Sequence, residues 1–167
     1  MKITAFAASK LYELEDLQRV VAGWRLKSKK VAFTNGCFDV LHAGHLVSLN
    51  EAASHADCLI VAINSDASIA GIKGEGRPIN KAEDRALLLA AMAVVDAVIV
   101  FDEPTPLKTI QALLPDVLVK GGDYSIDQIV GAKEVKDNGG EVIINPILEG
   151  YSSTATLEKL RNTDKTE

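Results

Sequence analysis

Residues 31–45 read VAFTNGCFDVLHAGH, and this stretch decides the predicted fold because it passes from strand to turn to helix. The run VAFT, from Val31, is apolar enough for a buried strand, and Asn35 and Gly36 permit a tight turn after it. His42 and His45 are three residues apart, so they share one face of the helix that begins there. The stretch is therefore predicted to be a β-α unit with polar side chains at the carboxyl end of its strand.

Four further apolar runs repeat the strand pattern: CLIVAI from Cys58, AVIVF from Ala97, VLVK from Val117 and EVIIN from Glu141. The stretches between them have helical periodicity. Strands that are apolar on both faces and alternate with helices imply a parallel sheet covered on two sides. The sequence predicts an α/β fold, a doubly wound, Rossmann-like parallel five-stranded sheet with helices on both faces and ligands at the carboxyl ends of its strands.

Two helices have sequence signals of their own. Apolar residues three to four apart from Leu14 to Trp24 predict an amphipathic helix before the basic run KSKK. Asn80 with Glu83 has the form of an N-cap and its returning carboxylate, which predicts a helix from about Lys81 through Ala93. The run GIKGEG, residues 71–76, is predicted to be a flexible loop that carries Lys73.

Composition narrows the class of protein. The net charge of -5 over 167 residues argues against a nucleic-acid partner, and no apolar stretch approaches the roughly 18 residues that span a bilayer. The N-terminal residues turn acidic where a signal peptide stays apolar, and Cys37 and Cys58 make no disulfide framework. We expect a single-domain cytoplasmic protein without membrane partners, in which residues 1–30 form a helical segment packed on the core.

Three interpretations of His42 and His45 compete. Zinc ligands would need a third and fourth partner, for which Cys37, Asp39 and the distant His55 are available. Core histidines would lie on an apolar face, yet Gly44 stands between these two in a turn. Donors to phosphate oxygens need only a triphosphate nearby, and a helix N-terminus attracts such an anion. We favour the phosphate interpretation.

The motif HAGH, with GCFD before it, resembles the HxGH signature of the nucleotidylyltransferase superfamily. The similarity extends through NSDASIAGIKGEGRPI, EDRALLLAAM, LLPDVLVKGGDY and GYSSTATLEKLR, where the chain resembles the heptose 1-phosphate adenylyltransferases of bacterial lipopolysaccharide and glycoprotein biosynthesis. The resemblance places a nucleotidylyltransferase domain at residues 31–162, expected in its stand-alone form without a sugar kinase. It implies transfer of AMP from ATP to D-glycero-β-D-manno-heptose 1-phosphate or a close relative, giving ADP-heptose and pyrophosphate.

The resemblance, with the loop positions of these residues, assigns three sets. The catalytic residues are expected to be His42, His45 and Lys73. The nucleotide is expected to contact Asn35, Gly36, Cys37, Phe38, His42, His45, Lys120, Gly122, Asp123, Ser152, Ser153 and Thr154. The sugar phosphate is expected to contact Asp39, Asn64, Asp66, Lys73, Arg77 and Arg85.

Several of these residues have a structural alternative. Lysines and arginines are more often solvated or salt-bridged than functional, and Asn64 and Asp66 belong to residue types that favour turns. Ser153 and Thr154 are also ordinary helix caps. Two roles stay open for Asp39, namely orienting a histidine and helping to hold Mg²⁺.

No residue set has the form of an activated covalent nucleophile, so we expect direct in-line displacement by positioning and charge neutralisation. Mg²⁺ is the expected cofactor, with no protein ligand assigned to it. ATP and a phosphorylated sugar are the expected partners, in a homodimer as in relatives. Two alternatives stay open: a cytidylyltransferase acting on a polyol or alcohol phosphate, and a non-catalytic nucleotide-binding module.

Overall fold

The computed structural model of the chain describes residues 2–122, 124–146, 150–153 and 157. Helices and strands alternate along most of these residues. The helices are α1 Lys2–Ala8, α2 Leu14–Leu26, α3 Ala43–Ser54, α4 Asp66–Lys73, α5 Ala82–Ala90, α6 Leu107–Leu113 and α7 Ala132–Asp137, with a 3₁₀ turn at Ile126–Gln128. The strands are β1 Val31–Gly36, β2 Cys58–Asn64, β3 Ala97–Phe101, β4 Val117–Gly121 and β5 Glu141–Asn145.

The strands form one parallel sheet in the order β3-β2-β1-β4-β5, which confirms the predicted five-stranded parallel sheet. β1 is central, and its Phe33 lies opposite Ile60 of β2 and Leu118 of β4. The strand order reverses between β1 and β4, because β2 and β3 extend to one side and β4 and β5 to the other. Ligands of such sheets bind outside the carboxyl ends at this reversal, so the loops after β1 and β4 are where a site is expected.

Each face of the sheet has its own buried apolar cluster. Leu59 of β2 packs in one cluster with Leu89 of α5. Ile60, the next residue, packs in the other with Leu17 of α2 and Ile110 of α6. Side chains alternate in direction along a strand, and burying one of this size contributes about 1.5 to 3 kcal/mol. Helices are therefore held against both faces, as predicted.

The N-terminal segment contributes to both clusters and runs past the β3 edge between them. Ala7 of α1 is buried on one face, and α2 packs on the other. Between these helices Leu11 forms a bridge with Val98 of β3. The Val98 N–H donates to the Lys10 carbonyl, and the Tyr12 N–H donates to the Val98 carbonyl. Ala7, Leu17 and Val21 of this segment thus share the core of the strands that follow.

The helix predicted from about Lys81 through Ala93 is present but ends three residues earlier, and the Asn80 cap predicted for it is wrong. α5 runs Ala82–Ala90, its N-cap is Lys81, and no side chain caps it. Asn80 is bonded instead to Asp39, 41 residues away: its N–H donates to the carboxylate at 2.9 Å and its side-chain amide to the backbone carbonyl. A distant partner therefore overrides the local capping signal.

Lys73 ends a helix rather than lying in the predicted loop. α4 follows Ser65, whose hydroxyl accepts a hydrogen bond from the Ser68 N–H at 3.3 Å. It stops at Gly74, which has φ +83°. Serine is a preferred cap and a left-handed glycine a preferred terminator, so both signals were present in the sequence. The helix fixes the backbone from which Lys73 extends.

Candidate active site

His42 and His45 form a stacked pair at the start of α3, whereas their spacing predicted only that they share one face of this helix. His42 is the N-cap of that helix, and His45 is its third residue. The ring centroids are 3.8 Å apart and the ring planes are inclined by 18°. Phe38 lies 5.2 Å from the His45 ring and Tyr151 lies 5.9 Å from the His42 ring. Aromatic side chains therefore flank the pair on both sides.

Each imidazole caps the backbone of the other histidine. The His45 N–H donates to Nδ1 of His42, and the His42 N–H donates to Nδ1 of His45, both at 3.3 Å. Since Nδ1 accepts in both rings, the neutral imidazoles carry their proton on Nε2. The pair thus presents two Nε2–H donors at a helix N-terminus, where the peptide dipoles already favour an anion.

His45 is neutral at ordinary pH. Burial, together with the nearby charges of His42 and Lys73, lowers the pKa of His45 to about 4. The Nε2–H of His45 is therefore a neutral hydrogen-bond donor that does not depend on protonation near pH 7.

A cavity of about 590 Å³ lies over the histidine pair, at the carboxyl ends of β1 and β4. Its size is ordinary for a small-molecule site. Many of the predicted site residues line it: Asn35, Gly36, Cys37, Phe38, His42, His45, Lys73, Lys120, Ser152 and Ser153. The fold therefore brings together residues from the loops after β1 and β4, the end of α4 and the segment 150–153.

Lys120 lies near the end of β4, beside β1. Its Nζ is 3.4 Å from both the carbonyl oxygen and the side-chain oxygen of Asn35. Burial lowers the pKa of the Lys120 ammonium. These contacts are long for hydrogen bonds, so an anionic ligand would stabilise this cation further.

Gly122 is buried, and its lack of a side chain makes room for the Tyr124 ring. Its φ is +132°, and a Cβ at this position would lie 2.6 Å from the Tyr124 ring. Its N–H donates to the Asn145 carbonyl at 3.2 Å. The absence of a Cβ at Gly122 thus lets the Tyr124 ring approach closely, and the contact predicted between Gly122 and a nucleotide stays a prediction. Asp123 and Thr154, the other predicted members of this group, lie outside the described residues.

Asp39 and Arg77 form a buried ion pair. Arg77 Nε donates to Asp39 Oδ2 at 2.6 Å, while Asp39 Oδ1 accepts from the N–H groups of Ile79 and Asn80 at 2.8 and 2.9 Å. Burial raises the pKa of Asp39, but the Asn80 N–H, Arg77 and the Ile79 N–H outweigh it and hold the pKa below its usual value.

This pairing corrects the roles predicted for Asp39. The side chain is 0% exposed and both oxygens are occupied, so it anchors the 77–80 loop instead of orienting a histidine, holding Mg²⁺ or contacting sugar. Arg77 keeps one buried nitrogen, Nη2, without a hydrogen-bond partner in the described part of the chain. Its contact with substrate stays a prediction.

Arg85 bonds to four residues from inside the protein. Its Nη1 donates to the carbonyls of Cys37 and Asn64 at 2.8 Å, and its Nε donates to the Asn80 carbonyl at 3.0 Å. Its Nη2 pairs with the Asp66 carboxylate at 2.7 Å. The Arg85 side chain is 0% exposed, so the predicted contact with the sugar phosphate is corrected: Arg85 is a positioning residue for the loops after β1 and β2.

Asn64 and Asp66 differ in what they expose. The Asn64 amide is buried, accepts from the Cys37 thiol at 3.8 Å and donates to the Ser68 hydroxyl at 3.0 Å. The Asp66 carboxylate is 45% exposed, although it pairs with Arg85. Asn64 lines a second cavity next to the first.

Gly44 and Tyr151 are site residues that the sequence interpretation did not assign. A Cβ on Gly44 would lie 2.8 Å from the Tyr151 Cβ and 3.1 Å from Nδ1 of His42. Ser153 donates from its hydroxyl to the Val40 carbonyl at 2.8 Å, which fastens segment 150–153 to the loop before α3. The glycine between the two histidines was the available signal, because such a position often marks a close approach.

Among the described residues, side chains able to hold a metal ion do not converge at this site. In residues 2–122, 124–146, 150–153 and 157, no group of three or more His, Cys, Asp or Glu is placed to hold one. The zinc interpretation of the histidine pair therefore finds no further ligands among them. No helix in these same ranges is both long and apolar enough to cross a bilayer.

The chain is similar in sequence to a known family and to several curated proteins. The profile of the cytidylyltransferase-like family matches residues 33–159. The bifunctional protein HldE of Mesorhizobium japonicum is 54% identical over 143 residues, which are 86% of this chain and 29% of that protein. The HldE of Koribacter versatilis is 51% identical over 153 residues, which are 92% of this chain and 32% of its own. The chain thus spans about a third of the length of these curated relatives.

Two solved structures share the fold. A lipopolysaccharide core biosynthesis protein from Thermoplasma volcanium has a TM-score of 0.58 and 29% identity, over 74% of this chain and 99% of its own. A pantoate-beta-alanine ligase from Francisella tularensis has a TM-score of 0.59 at 17% identity, over 81% of this chain and 66% of its own. At that identity the second likeness concerns the fold alone.

Proposed function

This chain belongs to the cytidylyltransferase-like family, and on that premise we propose that it is a nucleotidyltransferase that moves AMP from ATP onto a heptose 1-phosphate. The products are ADP-heptose and pyrophosphate, for lipopolysaccharide or a related glycan. The observation that carries the proposal is the stacked histidine pair, whose Nε2–H donors stand at the N-terminus of α3 beside a 590 Å³ cavity. Two Nε2–H donors and a helix dipole suit the phosphates of a nucleotide.

The heptose acceptor is supported by the relatives. The proteins named bifunctional HldE match 86% and 92% of this chain at 54% and 51% identity. The Thermoplasma volcanium protein, at 29% identity, is a lipopolysaccharide core biosynthesis protein. The motifs HAGH and KGGDY resemble those of heptose 1-phosphate adenylyltransferases.

The chemistry is a direct displacement. An oxygen of the acceptor phosphate bonds to the α-phosphorus of ATP, the bond from that phosphorus to its bridging oxygen breaks, and pyrophosphate leaves with the electron pair. His42 and His45 donate to phosphate oxygens, and the ammonium group of Lys73, which lines the same cavity, offsets the negative charge that moves onto the leaving group. One such preorganised donor accelerates the step by roughly 100- to 1000-fold.

We also propose that Mg²⁺ enters with the triphosphate, on which it would neutralise charge. Among the described residues no group of three or more metal-ligating side chains comes together to hold it, and both Asp39 oxygens are already bonded. A homodimer in the cytoplasm is the further expectation, and the free thiols of Cys37 and Cys58 suit a reducing compartment.

Pyrophosphate release tests the proposal when it is measured across the four nucleoside triphosphates and a panel of heptose, hexose and polyol phosphates. We expect release only with ATP, Mg²⁺ and a heptose 1-phosphate together, and loss of release in His42→Asn. Faster turnover with CTP and a polyol phosphate would establish the cytidylyltransferase alternative. Tight nucleotide binding without release for any acceptor would indicate a binding module.

A further inference from the structure

A second cavity, of about 420 Å³, adjoins the first at the carboxyl edge of the sheet. Its walls come from the ends of β1 and β2, the loop after β3 and the 3₁₀ turn after β4. The two cavities share five lining residues, namely Asn35, Gly36, Cys37, Lys120 and Tyr124. They therefore meet at the end of the central strand.

The two cavities differ in charge. The first is lined by His42, His45 and Lys73 as well as Lys120. Among the described residues that line the second, Lys120 is the one charged side chain. The rest of that lining combines neutral hydrogen-bonding groups, those of Asn64, Thr105 and Gln128 among them, with apolar surface from residues 72, 104, 106, 129 and 130. Such a wall suits a neutral ligand rich in hydroxyl groups.

Gln128 is held in place for such a contact. Its side-chain oxygen accepts from the Ser125 N–H at 3.0 Å, which restricts the amide without using its NH₂ group as the donor. Asn64 is likewise fixed, by Ser68. Thr105 lies in the exposed loop after β3, so its hydroxyl can reorient towards a ligand at little cost. Preorganised amides lower the entropy lost when a sugar binds.

Lys120 stands where the two cavities join. It is the one cation common to both linings in the described residues, and its contacts to Asn35 are long, at 3.4 Å. A phosphate held there would lie between a neutral cavity on one side and the histidine pair on the other. That is the geometry needed by an acceptor phosphate whose oxygen attacks a nucleotide in the first cavity.

We infer that the second cavity holds the sugar ring of the acceptor, with the acceptor phosphate on Lys120 and with Thr105 and Gln128 as specificity-determining residues. This inference rests on the proposed function for the nature of the reaction. In the step itself one phosphorus–oxygen bond forms and one breaks at the α-phosphorus, and neither oxidant nor reductant takes part.

The test compares Thr105→Val and Gln128→Leu with wild type and with Gln111→Leu, an exposed glutamine on α6 that donates to Glu134. Losing one hydrogen bond should raise the KM for the sugar phosphate about 5- to 10-fold in each variant, and leave the KM for ATP within about twofold. Lys120→Met should raise the sugar-phosphate KM most. Unfolding curves confirm that each variant is folded.

The outcomes separate the inference from the proposed function. If wild type turns over heptose 1-phosphate but Thr105→Val and Gln128→Leu raise only the KM for ATP, or change neither KM, the inference is overturned and the proposed function stands. If wild type does not turn over heptose 1-phosphate, calorimetry measures the binding of mannose 1-phosphate to wild type and to each variant. Binding that weakens in these two variants and not in Gln111→Leu upholds the inference while the proposed function fails.

Discussion

Replacing Arg85 with Met should destabilise the protein more than any change at an exposed arginine. The guanidinium is fully buried and donates to the carbonyls of Cys37, Asn64 and Asn80 as well as pairing with Asp66. Methionine has a similar length but no donor, so these acceptors lose their partners. The Asp66 carboxylate is 45% exposed, so water can solvate it once the pair is broken, but each of the three abandoned carbonyl acceptors costs about 1 to 3 kcal/mol before water enters.

We therefore expect a loss of roughly 4 kcal/mol, a large share of the roughly 5 to 15 kcal/mol that stabilises a domain. For a chain of this size each 1 kcal/mol lowers the melting temperature by about 2 to 4 °C, so the expected decrease is about 8 to 16 °C. Thermal and urea unfolding, followed by circular dichroism, measure it.

Arg19→Met is the matched control, because the Arg19 side chain is 73% exposed and pairs with Asp16 on the surface of α2. It should change stability by less than about 1 kcal/mol. If Arg85→Met left the melting temperature unchanged and abolished turnover, the buried-anchor reasoning would be refuted and direct contact with substrate restored.

The remaining predictions concern the histidine pair. His42→Asn should keep the helix cap, because asparagine is a preferred N-cap, yet lower kcat about 100-fold or more in a pyrophosphate assay; unchanged kcat would remove His42 from the catalytic group. The pKa of His45, normally 6.5, is lowered to about 4 in the folded state, so the unfolded chain binds a proton first as pH falls. The unfolding free energy from urea titrations should decrease from pH 6.5 to 4, and less so in His45→Gln; equal slopes would contradict the assignment. Gly44→Ala should lower kcat and the melting temperature together, since its Cβ would lie 2.8 Å from the Tyr151 Cβ. Wild-type values of both would show that segment 150–153 moves aside without loss of stability or activity.

The strands could be predicted because each is a short run whose residues are apolar on both faces. AVIVF and EVIIN coincide with β3 and β5. The others extend one or two residues further, into Asn64 for example, where a polar side chain ends an apolar run but not the hydrogen-bonded ladder. Backbone pairing continues beyond the last apolar residue, so the apolar pattern alone predicts such strands to be shorter than they are.

The histidine pair and its helix could also be predicted, because the chemistry and the spacing lie within one short stretch. The places of Asn80 and Arg85 could not. Each has its partners in segments far away along the chain, and Arg85 bonds to Cys37, 48 residues earlier. Local propensity describes Asn80 as a cap and Arg85 as a solvated helix residue, and only the assembled sheet brings the competing acceptors within reach.

The N-terminal segment that runs past β3 also has a consequence for how the protein meets other chains. An edge strand offers unpaired N–H and C=O groups to any extended peptide, and long apolar edges are sites of aggregation. β3 reads AVIVF, among the most apolar strands of this sheet, and it lies at one end of the strand order. At Val98 both backbone groups are already bonded, to Lys10 and Tyr12. At this position the exposed edge of the sheet is therefore already paired, by residues Lys10–Tyr12 of the same chain.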